Sequence, residues 1–199
     1  MMENIRIIDA GPDDAPIIAD AVLSAVGEDI VNSLAGDHSV EDVHLLFENL
    51  AKRNDTQYSY LNTRIALTEE GVKAGVCVSY NGGLLLELRK RFFIEARRIL
   101  GWSISDEEIN SLPGETSEEE FYLDSLATLP EYRGRGIGRA LIEDAAQKAV
   151  KDKLPLGLLV SDHNPDARKL YDSLGFKQVG RRLFAGEEMS NLRFMTTQE

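Results

Sequence analysis

Residues 121–139 constrain this chain more than any other stretch. Phe121 to Leu129 is an apolar run closed by Pro130, and Arg133, Gly134, Arg135, Gly136, Ile137, Gly138 and Arg139 follow where a helical period begins. A strand stopped by proline and turned through alternating glycines into a helix fixes a strand–turn–helix unit. Glycine lets a ligand come close to bare backbone, and the first N–H groups of a helix have no partner within it. The helix dipole adds to them, so the turn is an anion site whose usual occupant is a pyrophosphate. The three arginines strengthen that charge. No Gly-Lys-Ser/Thr follows, which excludes a P-loop, and Arg139 stands where the dinucleotide fingerprint needs a third glycine. Taken alone, a plain tight turn would leave the same pattern.

The charge around this turn is uneven. The 199 residues carry a net charge of −12, which argues against general affinity for nucleic acid or anionic lipid. Residues 1–125 hold 24 acidic and 10 basic side chains, and the remainder holds 10 acidic and 12 basic. Two readings stand: solvated helical faces in the first part, or a second part that receives an anion while the first faces a cation. The lone Cys77 lies in an apolar run, excluding a disulfide framework and a Cys-rich zinc site. No apolar stretch approaches the ~20 residues of a membrane span, and the N-terminus lacks a signal-type run. A cytoplasmic location and a single domain over 1–199 are expected.

Periodicity supplies the rest of the outline. Residues 4–8 alternate like a short strand, and 13–26 form a helix behind an acidic cap. Ser39 caps a helix with Val43, Leu46, Phe47 and Leu50 on one face. Strands are expected over 58–68 and 72–80, joined at Glu69-Glu70-Gly71. A helix follows over 84–100, with a stripe at Leu85, Leu88, Phe92, Ala96 and Ile99. Residues 106–120 read as a short helix and an exposed acidic loop. After the glycine turn come a helix over 135–151, a buried strand at 156–161, a helix over 165–174 ended by Gly175, and strands at 176–183 and 191–196. Strand–helix–strand–helix in this half implies a partly parallel sheet.

A second segment narrows the reading. Asn164, Ala167, Leu170, Tyr171, Gly175 and Phe176 lie about one helix beyond the first, after a buried strand. Arg133-x-x-Gly136-x-Gly138 followed at this separation by Asn164-x-x-Ala167-x-x-Leu170-Tyr171-x-x-x-Gly175-Phe176 resembles the GNAT superfamily of N-acetyltransferases. The resemblance is dense over 121–176 and compatible with the elements from 4 to 80.

That resemblance implies an α/β (α+β) fold: a central mixed, mostly antiparallel sheet, splayed at its middle and flanked by helices. It implies acetyl-CoA as acyl donor, no metal, and direct transfer to a small-molecule amine or peptide acceptor in a ternary complex. Carried across by position, the backbone of Arg133, Gly134, Arg135, Gly136, Ile137, Gly138 and Arg139 would hold the pyrophosphate. Leu126, Ala127 and Thr128 would lie along the pantetheine arm, with a backbone N–H polarising the acetyl carbonyl. Asn164 would hydrogen-bond the same arm, and Tyr171 would protonate the departing thiolate. A core tyrosine is the plainer reading of Tyr171.

The base is less direct. Some members place a glutamate where Leu159 stands here, and others use histidines where Tyr122 and Asp124 stand. Asp124 is therefore the candidate base, with a strand-end carboxylate as the plainer alternative. His38, His44 and His163 share no metal-ligand spacing, and no Gly-x-Ser-x-Gly elbow is present. Trp102, Phe92 and Phe93 read as packing. The stretch 82–119 exceeds the family's usual turn and reads as a helical insertion that covers the acceptor site or makes a homodimer contact. A catalytically silent acyl-CoA-binding or regulatory module is the alternative function.

Overall fold

Turn chemistry and hydrophobic period agree on most boundaries in the computed structural model, which describes residues 5–195. In chain order the elements are β1 (Arg6–Asp9), α1 (Ala15–Val26), α2 (Glu28–Ala35), α3 (Val40–Ala51), β2 (Thr63–Leu67), β3 (Lys73–Asn81) and α4 (Leu85–Leu100). They continue with α5 (Asp106–Ser111), β4 (Phe121–Thr128), α6 (Ile137–Lys151), β5 (Leu156–Val160), α7 (Pro165–Ser173), β6 (Lys177–Phe184) and β7 (Glu187–Phe194). The sheet runs β1-β2-β3-β4-β5-β7-β6, antiparallel throughout except for the parallel β4–β5 pair. This is the mixed, mostly antiparallel sheet that the resemblance implies.

Two apolar cores sandwich the sheet. On one face α1, α3 and α4 bury Ile18, Val22, Leu46, Phe47, Leu50, Leu85 and Ala96 against Val78, Tyr80 and Tyr122. On the other, Ile137, Leu141, Ala145 and Ala149 of α6 pack with Tyr171 of α7 on Leu123, Leu156 and Leu158. Gly75 of β3 lets α6 lie close on the sheet: a Cβ there would lie 2.6 Å from Ile137 Cγ2.

The parallel pair is the feature that makes a site. β4 and β5 are in register only at Phe121–Leu156 and Tyr122–Gly157. Beyond that point they part, leaving one side of β4 open from Leu123 to Thr128. A bulge sits at the same place, since Val78 pairs with Ser125 and Ser79 with Leu123, so Asp124 is the extra residue on β4.

Three expectations are corrected, and one helix was not anticipated. The strand expected over 58–68 begins at Thr63, because Ser59 caps a 3₁₀ turn (Tyr60–Asn62) that leaves Tyr58 packed in the helical core. Helix α2 was hidden behind Gly27, whose φ of 87° ends α1 and redirects the chain. The last strand begins at Glu187 rather than 191; residues 4 and 196 of the expected strands lie outside the described residues. The loop after α5 is not a uniformly exposed acidic segment: Glu118 and Glu119 are exposed, whereas Glu115 and Glu120 are buried. Glu120, 1% exposed, lies 2.7 Å from Arg193 and 3.6 Å from Arg182, and its carboxyl occupies space that any side chain at Gly157 would fill.

Candidate active site

The C-terminal half of β4 and the start of α6 form one wall of the opening. Gly134 and Gly136 take φ of 76° and 89°, values that favour glycine, and nothing lies within 4 Å of where a Cβ would stand on either. Ala140 is the first helical residue whose N–H returns to the turn, 3.0 Å from the Gly136 carbonyl. The N–H groups of Ile137, Gly138 and Arg139 are therefore the free donors of α6. Ile137 contributes backbone alone, its side chain being buried in the core. Gly138 has a different task from its neighbours: a Cβ would come 3.3 Å from Leu170 Cδ2, so it seats α6 against α7. Arg133, Arg135 and Arg139 are exposed around the turn. Arg133 Nε donates to the Thr128 carbonyl at 3.3 Å, and the Arg135 guanidinium lies 4.8 Å from the Tyr132 ring centre.

Along β4 the N–H of Leu129 donates to Ala74 of β3 at 2.9 Å. Alternation therefore turns the backbone groups of Ala127 toward β3 and those of Leu126 and Thr128 into the opening. Of the three expected positions Ala127 faces β3, Leu126 turns its backbone into the opening, and Thr128 turns there with its carbonyl taken by Arg133. Asn164 caps α7, its Oδ1 accepting from Ala167 N–H at 3.1 Å. Tyr171 is buried in the α6-side core with its ring 5.6 Å from Phe176. Burial raises its pKa, so the hydroxyl stays protonated at neutral pH.

Across the bulge the other face carries Asp124. Its Oδ2 accepts from Tyr80 OH at 2.8 Å and its Oδ1 from Ser125 Oγ at 2.9 Å. The residue keeps part of its surface open, yet protein encloses most of its carboxyl. Burial pushes its pKa up, opposed by the Tyr80 and Ser125 hydrogen bonds. Tyr122 meets Tyr80 edge-on at 5.9 Å, and Tyr58 completes an aromatic surround.

Sequence reasoning placed Glu115 in an exposed acidic loop, whereas the fold buries it. Burial raises its pKa to about 7, and the charge of Asp124 acts in the same direction. No local pattern marks it, because its neighbours belong to β3, β4, α4 and β6. The three histidines stay out of the site: His44 pairs with Asp20 at 2.9 Å and Glu48 at 3.4 Å, His38 lies near Asp42, and His163 is exposed. Among the described residues no cluster could hold a metal ion, and no helix is long and apolar enough to cross a membrane.

A glycine-turned anion cradle beside a bulged, splayed strand defines an acyl-CoA-dependent transferase class, and the comparisons agree. The model of the acetyltransferase (GNAT) family matches residues 38–176, and the chain belongs to that family of acetyl-CoA-dependent N-acetyltransferases. No curated protein sequence matches the chain. Among solved structures it is similar to an N-acetyltransferase from Staphylococcus aureus Mu50, at 21% identity and a TM-score of 0.75, covering 95% of this chain and 100% of that one. An acetyltransferase of 27% identity gives a TM-score of 0.70, covering 94% and 97%. An aminoglycoside N-acetyltransferase in complex with CoA shares the fold at 13% identity and a TM-score of 0.53, covering 93% and 95%.

Proposed function

We propose that this protein transfers the acetyl group of acetyl-CoA to a primary amine of a small molecule or peptide by direct attack in a ternary complex. One observation supports the reading. The β4–β5 splay leaves the Leu126 edge of β4 open, α6 starts with unpaired N–H groups, Asp124 is the bulged residue of the same strand, and Tyr171 lies in the core against α6.

The residues divide the work by chemistry. The N–H groups at the start of α6 and the nearby arginines bind the pyrophosphate. Leu126 and Thr128 pair with the pantetheine arm, with the Asn164 amide alongside. The amine nitrogen attacks the thioester carbon, and the charge developing on oxygen faces the Leu126 N–H. As the C–N bond forms and the C–S bond breaks, Tyr171 gives its proton to the sulfur. Asp124 draws off the proton lost by nitrogen, which an alkylammonium of pKa about 10 must shed before it can react.

The test is a thiol-release screen with acetyl-CoA against polyamines, amino acids, arylalkylamines, aminoglycosides and peptides. Amine-dependent release of CoA supports the reading. Tight acetyl-CoA binding without thiol release to any panel member would instead make the protein a silent acyl-CoA-binding module.

A further inference from the structure

The two halves of the sheet, β1-β2-β3-β4 and β5-β7-β6, are joined at the β4–β5 pair, which holds register at two positions only. So short a parallel pairing is a weak seam. Glu120, the residue before β4, crosses it. Its side chain is 1% exposed and passes over Gly157 of β5 to Arg193 of β7, whose Nε donates to Oε2 at 2.7 Å. Arg182 of β6 lies 3.6 Å from Oε1, and Thr116 Oγ1 donates to the same oxygen at 2.9 Å. The backbone of Glu120 is fastened from the other half: its carbonyl accepts from Gly82 N–H, just past β3, at 3.0 Å. One residue thus grips both halves of the sheet where they meet.

Gly157 makes the crossing possible. Its neighbours Leu156 and Leu158 are buried in the α6-side core, so position 157 faces the other side of the sheet, as does Arg193 opposite it. The three atoms nearest a Cβ at 157 would all belong to Glu120, with its carboxyl carbon at 2.6 Å. That carboxyl cannot swing aside cheaply, because both oxygens are bonded and the group is enclosed. Stability alone explains this poorly. Burying an ion pair costs desolvation that an apolar pair avoids, so a buried bridge is weak evidence for stability. What directional bonds supply is a fixed distance between strands. Immediately beyond the seam β4 and β5 part, and the backbone of Leu126 turns into the opening.

We propose that Glu120 is a positioning residue for the acyl donor. Its bond to Arg193 across Gly157 sets where β4 and β5 separate, and so holds the open Leu126 edge at the spacing from β5 that the pantetheine arm of acetyl-CoA needs. This rests on the acetyltransferase reading above, in which that arm lies along β4. Glu120 touches neither ligand; it acts through the strand it begins.

The probes are CoA and ADP, which share a pyrophosphate for the α6 cradle, whereas only CoA carries the arm. By calorimetry, Gly157→Ala should weaken CoA about tenfold, the worth of one or two hydrogen bonds to the arm, and leave ADP within about twofold. Glu120→Gln keeps the volume and removes the charge that holds Arg193, so it should act the same way by about threefold. Adding Gly157→Ala to Glu120→Ala should cost nothing further, because the new methyl no longer meets a carboxyl. A purely structural role would lower the competent fraction of the protein without separating the two ligands. Equal weakening of CoA and ADP, or unchanged CoA affinity in the variants, would overturn the positioning role and leave the acetyltransferase reading intact. Should Gly157→Ala not fold, Glu120→Gln decides by the same comparison. A wild type that binds CoA no more tightly than ADP would overturn the placement of the arm along β4 itself.

Discussion

The proposed donor and acceptor sides of the splay are built from different materials. The donor side is backbone: free N–H groups on α6, an unpaired edge on β4, and two glycines with positive φ. The acceptor side is side chains, Asp124 with Tyr80, Tyr122 and Tyr58 from separate elements. Backbone recognition needs only a conformation, so it tolerates almost any ligand variation beyond the shared anion. Side-chain recognition depends on burial and charge, so it is where an acceptor class is set.

The largest effect should come where the two sides meet the reacting atoms. Tyr171→Phe removes the buried hydroxyl and keeps the ring against Phe176, so stability should hold while turnover falls about 10²–10⁴-fold. Single-turnover kinetics would check this, and a loss below a few-fold would make Tyr171 a packing residue. Next comes the cradle. Gly136→Val forces a β-branched side chain to a φ of 89° and sets methyl groups where an anion must approach. Calorimetry should show acetyl-CoA affinity weakened about 10²-fold, or roughly 2.7 kcal/mol. Gly138→Val is the sharper comparison: its Cβ meets Leu170, so it should cost thermal stability in addition.

This division explains what could be read from the sequence. The cradle was legible because positive φ, a helix start and a strand end each leave a local residue signature at Pro130, Gly134 and Gly136. Asn164 and Gly175 mark the ends of α7 in the same way. Asp124 was legible as a position, but its bulge and its bond from Tyr80 were not, because they depend on pairing 44 residues apart. The enclosure of Glu115 was hidden for a stronger reason. Its run of acidic neighbours reads as a solvated loop, and only the Arg89 clamp and the close packing at Gly82 turn it inward. Tyr58 was misplaced on a strand because the 3₁₀ turn after it has no apolar period.

Two predictions break the comparison from the acceptor side. Asp124→Asn should leave acetyl-CoA binding intact and lower kcat about 10–10²-fold, with a changed acid limb in the pH–rate profile. Unaltered limbs would show that the free amine is drawn from solution. Stability should report the same enclosure. Glu115 has its pKa raised to about 7 from an ordinary 4.5, so the folded state holds that proton more tightly than the unfolded chain. The stability it contributes is complete below about pH 4.5 and is lost as pH rises through about 7, amounting to roughly 3 kcal/mol at most. Urea denaturation between about pH 5 and 8 should show this decline, and Glu115→Gln should flatten it.

The smallest effect concerns long-range attraction of the acceptor. An acidic cluster at Glu115, Glu118, Glu119 and Glu120 would draw a cationic amine toward the side opposite the arginines, if all four charges faced solvent. They do not: Glu120 is ion-paired in the core, Glu115 is enclosed, and Glu119 lies 3.4 Å from Arg193. Exposed steering charge is reduced to Glu118 and part of Glu119. Charge pairs at the surface are screened over a Debye length of about 10 Å at 0.1 M salt, and about 3 Å at 1 M. Reversing Glu118 and Glu119 to Lys should therefore raise the acceptor KM only about twofold at low salt, and the difference should vanish at about 1 M. A large, salt-sensitive rise would mean that the acceptor side recognises its substrate at a distance as well as by enclosure. Salt-independent KM values in both proteins would show that these exposed charges do not attract the acceptor.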